Sequence, residues 1–345
     1  MILLLGATGL LGHNILRLLL EREEPVRVLI RPGSGLLPLE TWSPAEAAGN
    51  GSVSIRDNGN LEIIQGDPLD YNTLTNAVQG CLGVINCIGA TDMSLPKVEF
   101  FQDANVNLPS QLCTAMITAG VSRLVHVSTA NTILPGSRNC PADESFPFEA
   151  PFTASPYAVT KKAGEDVLLS IAQYNPGLHF VIVNPGFMIG PYDAKPSSGK
   201  LLLAAYGRKR MYVPDGGKSF VHVRDVAKAI VHALEFGGSG RYLLSGESLT
   251  LREFYALQAE VCGYRQRVFT LPDGLVGLGG HIGDLLQGIG VRTMLCTHNV
   301  NQLIIEEWYD CSRAERELGY THTPVADAIR DYFSWRESAK TSPVD

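Results

Sequence analysis

Six short apolar runs mark the first half of the chain: Ile2–Leu5, Val26–Ile30, Leu61–Ile64, Val84–Cys87, Leu124–Val127 and Phe180–Val183. Amphipathic stretches separate most of them, namely Leu11–Glu21, Tyr71–Val78, Leu108–Ala119 and Tyr157–Gln173. Unbroken apolar strands alternating with helices predict a parallel sheet covered on both faces, that is, a doubly wound α/β domain. The segment Pro32–Asn60 interrupts this pattern. Asp57-Asn58-Gly59 is a turn signal that would let Val53–Ile55 form a hairpin with Leu61–Ile64, and the competing expectation is a surface insertion.

After about Pro185 the periodicity loosens. Pro185-Gly186, Gly190-Pro191, Pro214–Gly217 and Gly237–Gly240 punctuate a smaller, loop-rich region. The expected division is a dinucleotide-type domain over 1–185 that also receives about 222–247. A discontinuous substrate region then covers 186–221 and 248–338, and 339–345 form a frayed tail.

Composition narrows the functional classes. A chain of 345 residues that is 45% hydrophobic has ample core, which excludes disorder as the main state. The net charge of −7 argues against binding nucleic acid or an anionic membrane by bulk charge. Seven cysteines are scattered without a Cys-x-x-Cys pair, and the histidines lack metal-ligand spacing. A cytoplasmic protein with reduced thiols and no metal is expected. Met1-Ile2-Leu3-Leu4-Leu5 lacks a basic leader and is too short for a signal peptide or a membrane span. Glycine is in surplus at 35 residues, which asks where the backbone turns tightly or approaches something closely.

One answer stands right after the first strand. In Gly6-Ala7-Thr8-Gly9-Leu10-Leu11-Gly12 the glycines follow G-x-x-G-x-x-G. The first permits the turn, the second admits a pyrophosphate, and the third lets the next helix pack. The exposed N–H groups of that helix attract the diphosphate. At the end of the second strand stands Arg31, where an acid would read a ribose hydroxyl. A guanidinium suits a 2′-phosphate, which favours NADP over NAD unless Arg31 is an ordinary surface arginine. Asp67 in Gln65-Gly66-Asp67-Pro68 either accepts from the adenine amino group or caps the following helix.

Ser155-Pro156-Tyr157-Ala158-Val159-Thr160-Lys161 carries candidate chemistry. Ser155 caps a helix with Pro156 at its first position, and Tyr157 and Lys161, four apart, share one face. An ammonium beside a phenol would lower the tyrosine pKa and make it a general acid/base. The strand end His126-Val127-Ser128-Thr129-Ala130-Asn131 puts hydroxyls at the sheet's carboxyl edge.

Glycine loop, strand-end hydroxyl and Tyr-x-x-x-Lys in this order resemble the extended branch of the short-chain dehydrogenase/reductase superfamily, nearest its dihydroflavonol-reductase-like and epimerase/dehydratase members. Val84-Ile85-Asn86-Cys87-Ile88-Gly89-Ala90, Asn105-Val106-Asn107, Asn184–Pro191, His222–Ala227 and Tyr309–Arg313 extend the likeness over nearly the whole chain. The resemblance implies cofactor contacts from Gly6, Thr8, Gly9, Leu10, Leu11 and Gly12, and from Arg31, Asp67, Pro68, Ile88, Gly89 and Ala90. Asn105, Val127, Ser128, Pro185, Gly186 and Met188 would complete the cofactor set together with Tyr157 and Lys161. Gly186 and Gly190 would give close backbone approach. Thr91, Thr129, Asn184 and Phe187 would meet substrate. Thr129, Tyr157 and Lys161 would be catalytic, with Thr129 preferred over Ser128 because strand neighbours face opposite ways. His222–Ala227 would serve the domain junction or simply start a capped helix. The branch also implies dimerisation through helices of the catalytic half.

Two chemistries use the same tyrosine. A reductase would take hydride from NADPH and protonate the alkoxide of a small, largely apolar ketone or aldehyde, an aromatic one included. A nucleotide-sugar epimerase or dehydratase would keep NAD bound and clamp a diphosphate with arginines. Gly217-Lys218-Ser219-Phe220 lacks the expected arginine, which leaves Arg241, Arg265 and Arg292 as candidates. Arg31 and the Asn184–Pro191 segment favour the reductase. A non-catalytic NADP-binding regulator is a third class, against which the intact Tyr157/Lys161 pair speaks. Leu271–Ile289, apolar and rich in glycine, would be a flexible wall over the substrate or an ordinary packed helix.

Overall fold

The computed structural model describes residues 1–34, 59–236 and 238–341, so Val53–Ile55 and most of the Pro32–Asn60 segment lie outside the described residues. The expected alternation is present. In chain order come β1 (Ile2–Leu5), α1 (Leu10–Glu21), β2 (Val26–Ile30), β3 (Leu61–Gln65), α2 (Tyr71–Val78) and β4 (Gly83–Asn86). A short α3 (Glu99–Gln102) runs through a π-helical turn, Asp103–Asn107, into α4 (Leu108–Ala119). Then follow β5 (Arg123–Val127), α5 (Pro156–Tyr174) and β6 (His179–Pro185).

These strands form one parallel sheet with the order β3-β2-β1-β4-β5-β6, and a seventh strand from the second half joins its edge. The order reverses between β1 and β4, and the crevice at the carboxyl ends there is where such sheets bind ligands. The strands are apolar throughout because both faces are covered. Leu4, Val28, Ile85 and Val183 look to the side of α1, while Leu3, Leu5, Val84 and Ile182 look to the side of α2 and α4.

The second half is more regular than its punctuation predicts. It contains β7 (Phe187–Ile189), α6 (Gly199–Ala205), β8 (Arg210–Val213), β9 (Gly217–His222), α7 (Val223–Phe236), β10 (Gly240–Leu244) and β11 (Glu247–Thr250). These are followed by α8 (Leu251–Val261), β12 (Arg267–Thr270), α9 (Asp273–Gly288), α10 (Thr297–Leu303), α11 (Ser312–Leu318) and α12 (Val325–Thr341). β10 pairs in parallel with β6, and α7 covers the sheet beside α1. Strands β11, β9 and β7 make a second sheet, and β12 and β8 make a third. Phe220, Phe254, Tyr332 and Trp335 belong to a separate core there.

The segment His222–Ala227 acts at the junction of the two cores. Asp225 accepts from the backbone and hydroxyl of Thr323 at 2.7 and 2.8 Å, and Asp331 lies 3.0 Å from Arg224 and 3.2 Å from His222. α12 runs through Ala339 to Thr341, the start of the expected 339–345 tail, and 342–345 lie outside the described residues. One expectation needs correction. α2 is capped by Asp70, not Asp67. The Asp70 carboxylate accepts from Asn72 N and Thr73 Oγ1, and these bonds hold it below the ordinary range.

Candidate active site

The glycine loop follows the carboxyl end of β1, at the crevice. Gly6 has φ +87°, and a Cβ there would meet the Cys87 backbone at 2.9 Å. A Cβ on Gly12 would sit 2.1 Å from the Gly6 carbonyl, so α1 packs directly onto the loop. Gly9 differs: a Cβ there would find only the Gly6 carbonyl, at 3.5 Å, and its outer side is open. Gly9 is the N-cap of α1 and supplies no side-chain acceptor, which leaves the first N–H groups free for an anion. This open cradle fits a diphosphate. Thr8 is exposed, Leu10 half-buried and Leu11 buried in the core below. Arg31 is exposed just past β2, and Asp67 is exposed with its carboxylate turned to Leu69 N at 3.0 Å, beside buried Pro68.

Across the switch point, Ile88, Gly89 and Ala90 are half-buried, and Thr91 is exposed. The π turn aims Asn105 at this loop. Its Oδ1 accepts from Ala90 N at 2.9 Å, and its Nδ2 donates to Ala90 O and to Thr160 Oγ1 at 3.2 and 3.0 Å. With its amide fully engaged, Asn105 fastens the loop to α5 and positions the site from behind. A Cβ on Gly89 would press on Asn105 Oδ1 at 3.3 Å and make ordinary contact with Lys161 Nζ at 3.5 Å.

Ser155 accepts from Ala158 N and starts α5, which places Tyr157 and Lys161 one turn apart. Lys161 is buried, and its Nζ donates to Val127 O at 2.7 Å. Burial pushes its pKa down to about 8, with Glu165 and Cys87 pulling back upward. Tyr157 is half-buried beside the Thr129 hydroxyl. Its pKa lies above the ordinary value because burial disfavours the phenolate, and the nearby Thr129 hydroxyl offsets only part of this. The expected lowering by Lys161 is therefore corrected: the ammonium is anchored on Val127, and the resting tyrosine is a protonated phenol. Thr129, not Ser128, reaches the phenol. Ser128 is buried on the opposite side of the strand, and its Oγ has no partner among the described residues.

Three more expectations change. Asn184 is fully buried, and its Nδ2 donates to Thr129 O, Thr132 Oγ1 and Glu165 Oε1 at 3.0, 2.9 and 2.6 Å, so it supports Thr129 and does not face substrate. Gly186 makes its close approach to Ser219 O, 2.5 Å from a would-be Cβ, and Gly190 makes its own to Val223 and His222. Both serve the chain's own packing. Pro185 is buried at the end of β6, Met188 packs half-buried on the main core, and Phe187 meets Phe220 edge-on at 5.5 Å.

The sequence reading missed the groups beneath the site. Glu165 is fully buried, accepts from Thr132 Oγ1 at 2.8 Å, and lies 3.3 Å from Arg241 Nε. Its position one turn after Lys161 is the signal the sequence offers. Beyond Thr129, Asn131 Nδ2 donates to Gln302 Oε1 at 3.2 Å. Lys218 donates to Gln302 O at 3.0 Å and pairs with buried Glu307. Elsewhere, Cys311, Glu315 and His322 bring ligand-type atoms within 4.8 Å of one another, and burial pushes the Cys311 thiol up to about 12.

Residues 2–244 match the NAD dependent epimerase/dehydratase family. Sterol demethylase protein B of Methylococcus capsulatus is 30% identical over 96% of this chain and 97% of its own. A 4-hydroxy-2-methyl-3-oxo-4-farnesyl-3,4-dihydroquinoline-1-oxide ketoreductase of Stigmatella aurantiaca is 30% identical over 94% of each chain. A putative dihydroflavonol 4-reductase of Synechocystis is 27% identical over 96% of this chain and 92% of its own. Among solved structures, gox2253 superposes with TM-score 0.80 at 26% identity over 99% of both chains. A UDP-glucose-4-epimerase of Stenotrophomonas maltophila with bound NAD, 19% identical with TM-score 0.74 over 99% of both chains, shares the fold.

Proposed function

The chain belongs to the NAD dependent epimerase/dehydratase family, and on that premise we propose that it is an NADP-dependent reductase of a small, largely apolar ketone or aldehyde. The observation that carries this reading is the state of the cations beside the site. Lys218, where an epimerase would want a diphosphate clamp, is neutralised by Glu307, and Arg241 is held by Glu165. Each thus already faces a buried carboxylate, which offsets the charge a sugar diphosphate would meet. The relatives named as ketoreductase and dihydroflavonol 4-reductase support the same direction. The intact Tyr157/Lys161 pair, with Lys161 held on Val127 O, speaks against a non-catalytic regulator.

A dinucleotide, when bound, would supply the hydride. The open cradle at Gly9 and the start of α1 would hold its diphosphate, and Arg31 would meet a 2′-phosphate. Thr129 holds the substrate oxygen beside Tyr157, and Asn184 and Glu165 fix Thr129 from behind. Tyr157, a protonated phenol at neutral pH, gives its proton to the oxygen as charge develops there. Lys161 supplies the positive charge that the phenolate left behind requires. The unpaired cysteines support a reducing, cytoplasmic setting.

Thermal shift tests the cofactor. NADPH should raise the melting temperature more than NADH, and Arg31→Ala should shrink the difference; equal shifts would remove Arg31 from the cofactor site. UDP-sugars stabilising the chain more than aromatic ketones would restore the epimerase reading. The pH profile tests the acid. Tyr157 stays protonated below its raised pKa, so reduction should be level through neutrality and decline above about pH 8 as Lys161 loses its proton. A decline only near the ordinary tyrosine range would remove the Lys161 charge from the reaction.

A further inference from the structure

The parallel pair β8–β12 turns one face outward. Its register sets Arg210 beside Arg267 and Tyr212 beside Phe269, while Met211, Val213 and Val268 alternate inward to the smaller core. Tyr212 and Phe269 are about half exposed and stack at 5.4 Å. Exposed Arg208, Lys209 and Arg265 flank the ribbon, and none of these five cations forms an ion pair among the described residues. Like charges side by side repel, and the clustering stands out in a chain of net charge −7.

From this ribbon Leu271, whose N–H donates to Val213 O at 2.7 Å, leads directly into α9. Leu275, Leu278, Ile282 and Leu285 on α9, with Ile289 just past its end, are each more than half exposed. Spacings of three and four residues put them on one stripe. Val291, Met294 and Leu295 extend the apolar surface. These eight apolar side chains, exposed by 45–76%, are the kind of apolar concentration that marks an interaction surface.

We propose that α9 and the β8–β12 ribbon dock on an anionic phospholipid surface. The cations meet headgroups, the stacked Tyr212 and Phe269 sit at the interface, and the stripe enters the acyl boundary. A second copy would cover the stripe, but the five cations of the ribbon, unpaired among the described residues, call for the dense negative charge of phospholipid headgroups. The attraction is local, so the net charge does not oppose it beyond a screening length of ~10 Å. The proposal stands independently of the reductase reading.

Vesicle co-sedimentation tests it, using phosphatidylserine/phosphatidylcholine vesicles against pure phosphatidylcholine. The full chain should pellet with the anionic vesicles, and less so as salt rises. Arg210→Ala with Arg267→Ala should weaken partitioning about thirtyfold, at ~1 kcal/mol per cation. Leu278→Asp with Leu285→Asp should weaken it at least tenfold. All four positions are exposed, and unchanged circular dichroism and melting temperature would show that the variants fold. Failure to bind anionic vesicles, or equal binding by the variants, overturns the proposal. So does a dimer in light scattering that Leu285→Asp disperses while vesicles are ignored.

Discussion

In the segment Gly6–Gly12 every glycine has a geometric task, whereas helix α9 holds more glycines than its packing uses. A Cβ at Gly6 or Gly12 would strike backbone, and Gly9 keeps a surface open. In α9, Gly283 is equally strict: a Cβ there would fall 1.1 Å from Leu295 O. Gly280 lies close to Thr297, but Gly274, Gly277, Gly279 and Gly288 would meet nothing within 4 Å. Glycine thus allows tight backbone packing around one open surface in the first place and close approach of the Leu295–Leu303 segment in the other. The spare glycines of α9 each cost the helix about 1 kcal/mol of propensity relative to alanine, so its packing on α10 holds it in place.

Substitutions can break this comparison. The largest effect belongs to Gly12→Ala and Gly283→Ala, each expected to cost about 3 kcal/mol or more because backbone must move. Denaturant unfolding should show both losses, and retained coenzyme binding should separate them, surviving only in Gly283→Ala. Gly9→Ala should change stability by less than 1 kcal/mol yet weaken NADPH binding at least tenfold, about 1.4 kcal/mol, measured by calorimetry. The smallest effect has the opposite sign. Gly277→Ala or Gly279→Ala should stabilise the chain by about 0.5–1 kcal/mol. A loss of stability there would show a contact that the open space around these residues does not contain.

What the sequence made legible was local. The strand runs, the loop glycines, the Ser155 cap and the Tyr157/Lys161 turn all depend on spacings within a few residues, and such spacings survive without knowledge of the fold. The groups beneath the site were not legible because their partners are far away in sequence. Glu165 meets Arg241, Asn131 meets Gln302, and Lys218 meets Glu307 only once the two halves have packed. Asn184 shows the converse failure. Its motif placed it near substrate, but burial turned its amide to Glu165 and Thr129. The expected wall at Leu271–Ile289 is a helix, yet its apolar stripe faces solvent, since hydrophobic periodicity gives a face and not what covers it. The tyrosine pKa went astray for a related reason: helical spacing puts Lys161 on the same face, but only the fold gives it Val127 to hold.

In the proposed NADPH-dependent carbonyl reduction, Tyr157 delivers the proton. The most direct test of this step is NADPH consumption with a panel of aromatic and aliphatic ketones by the parent chain and by Tyr157→Phe, with the melting temperature and NADPH affinity of both recorded. Turnover should fall about 10²–10⁴-fold in the variant while folding and coenzyme binding persist. Undiminished turnover by Tyr157→Phe would contradict the account.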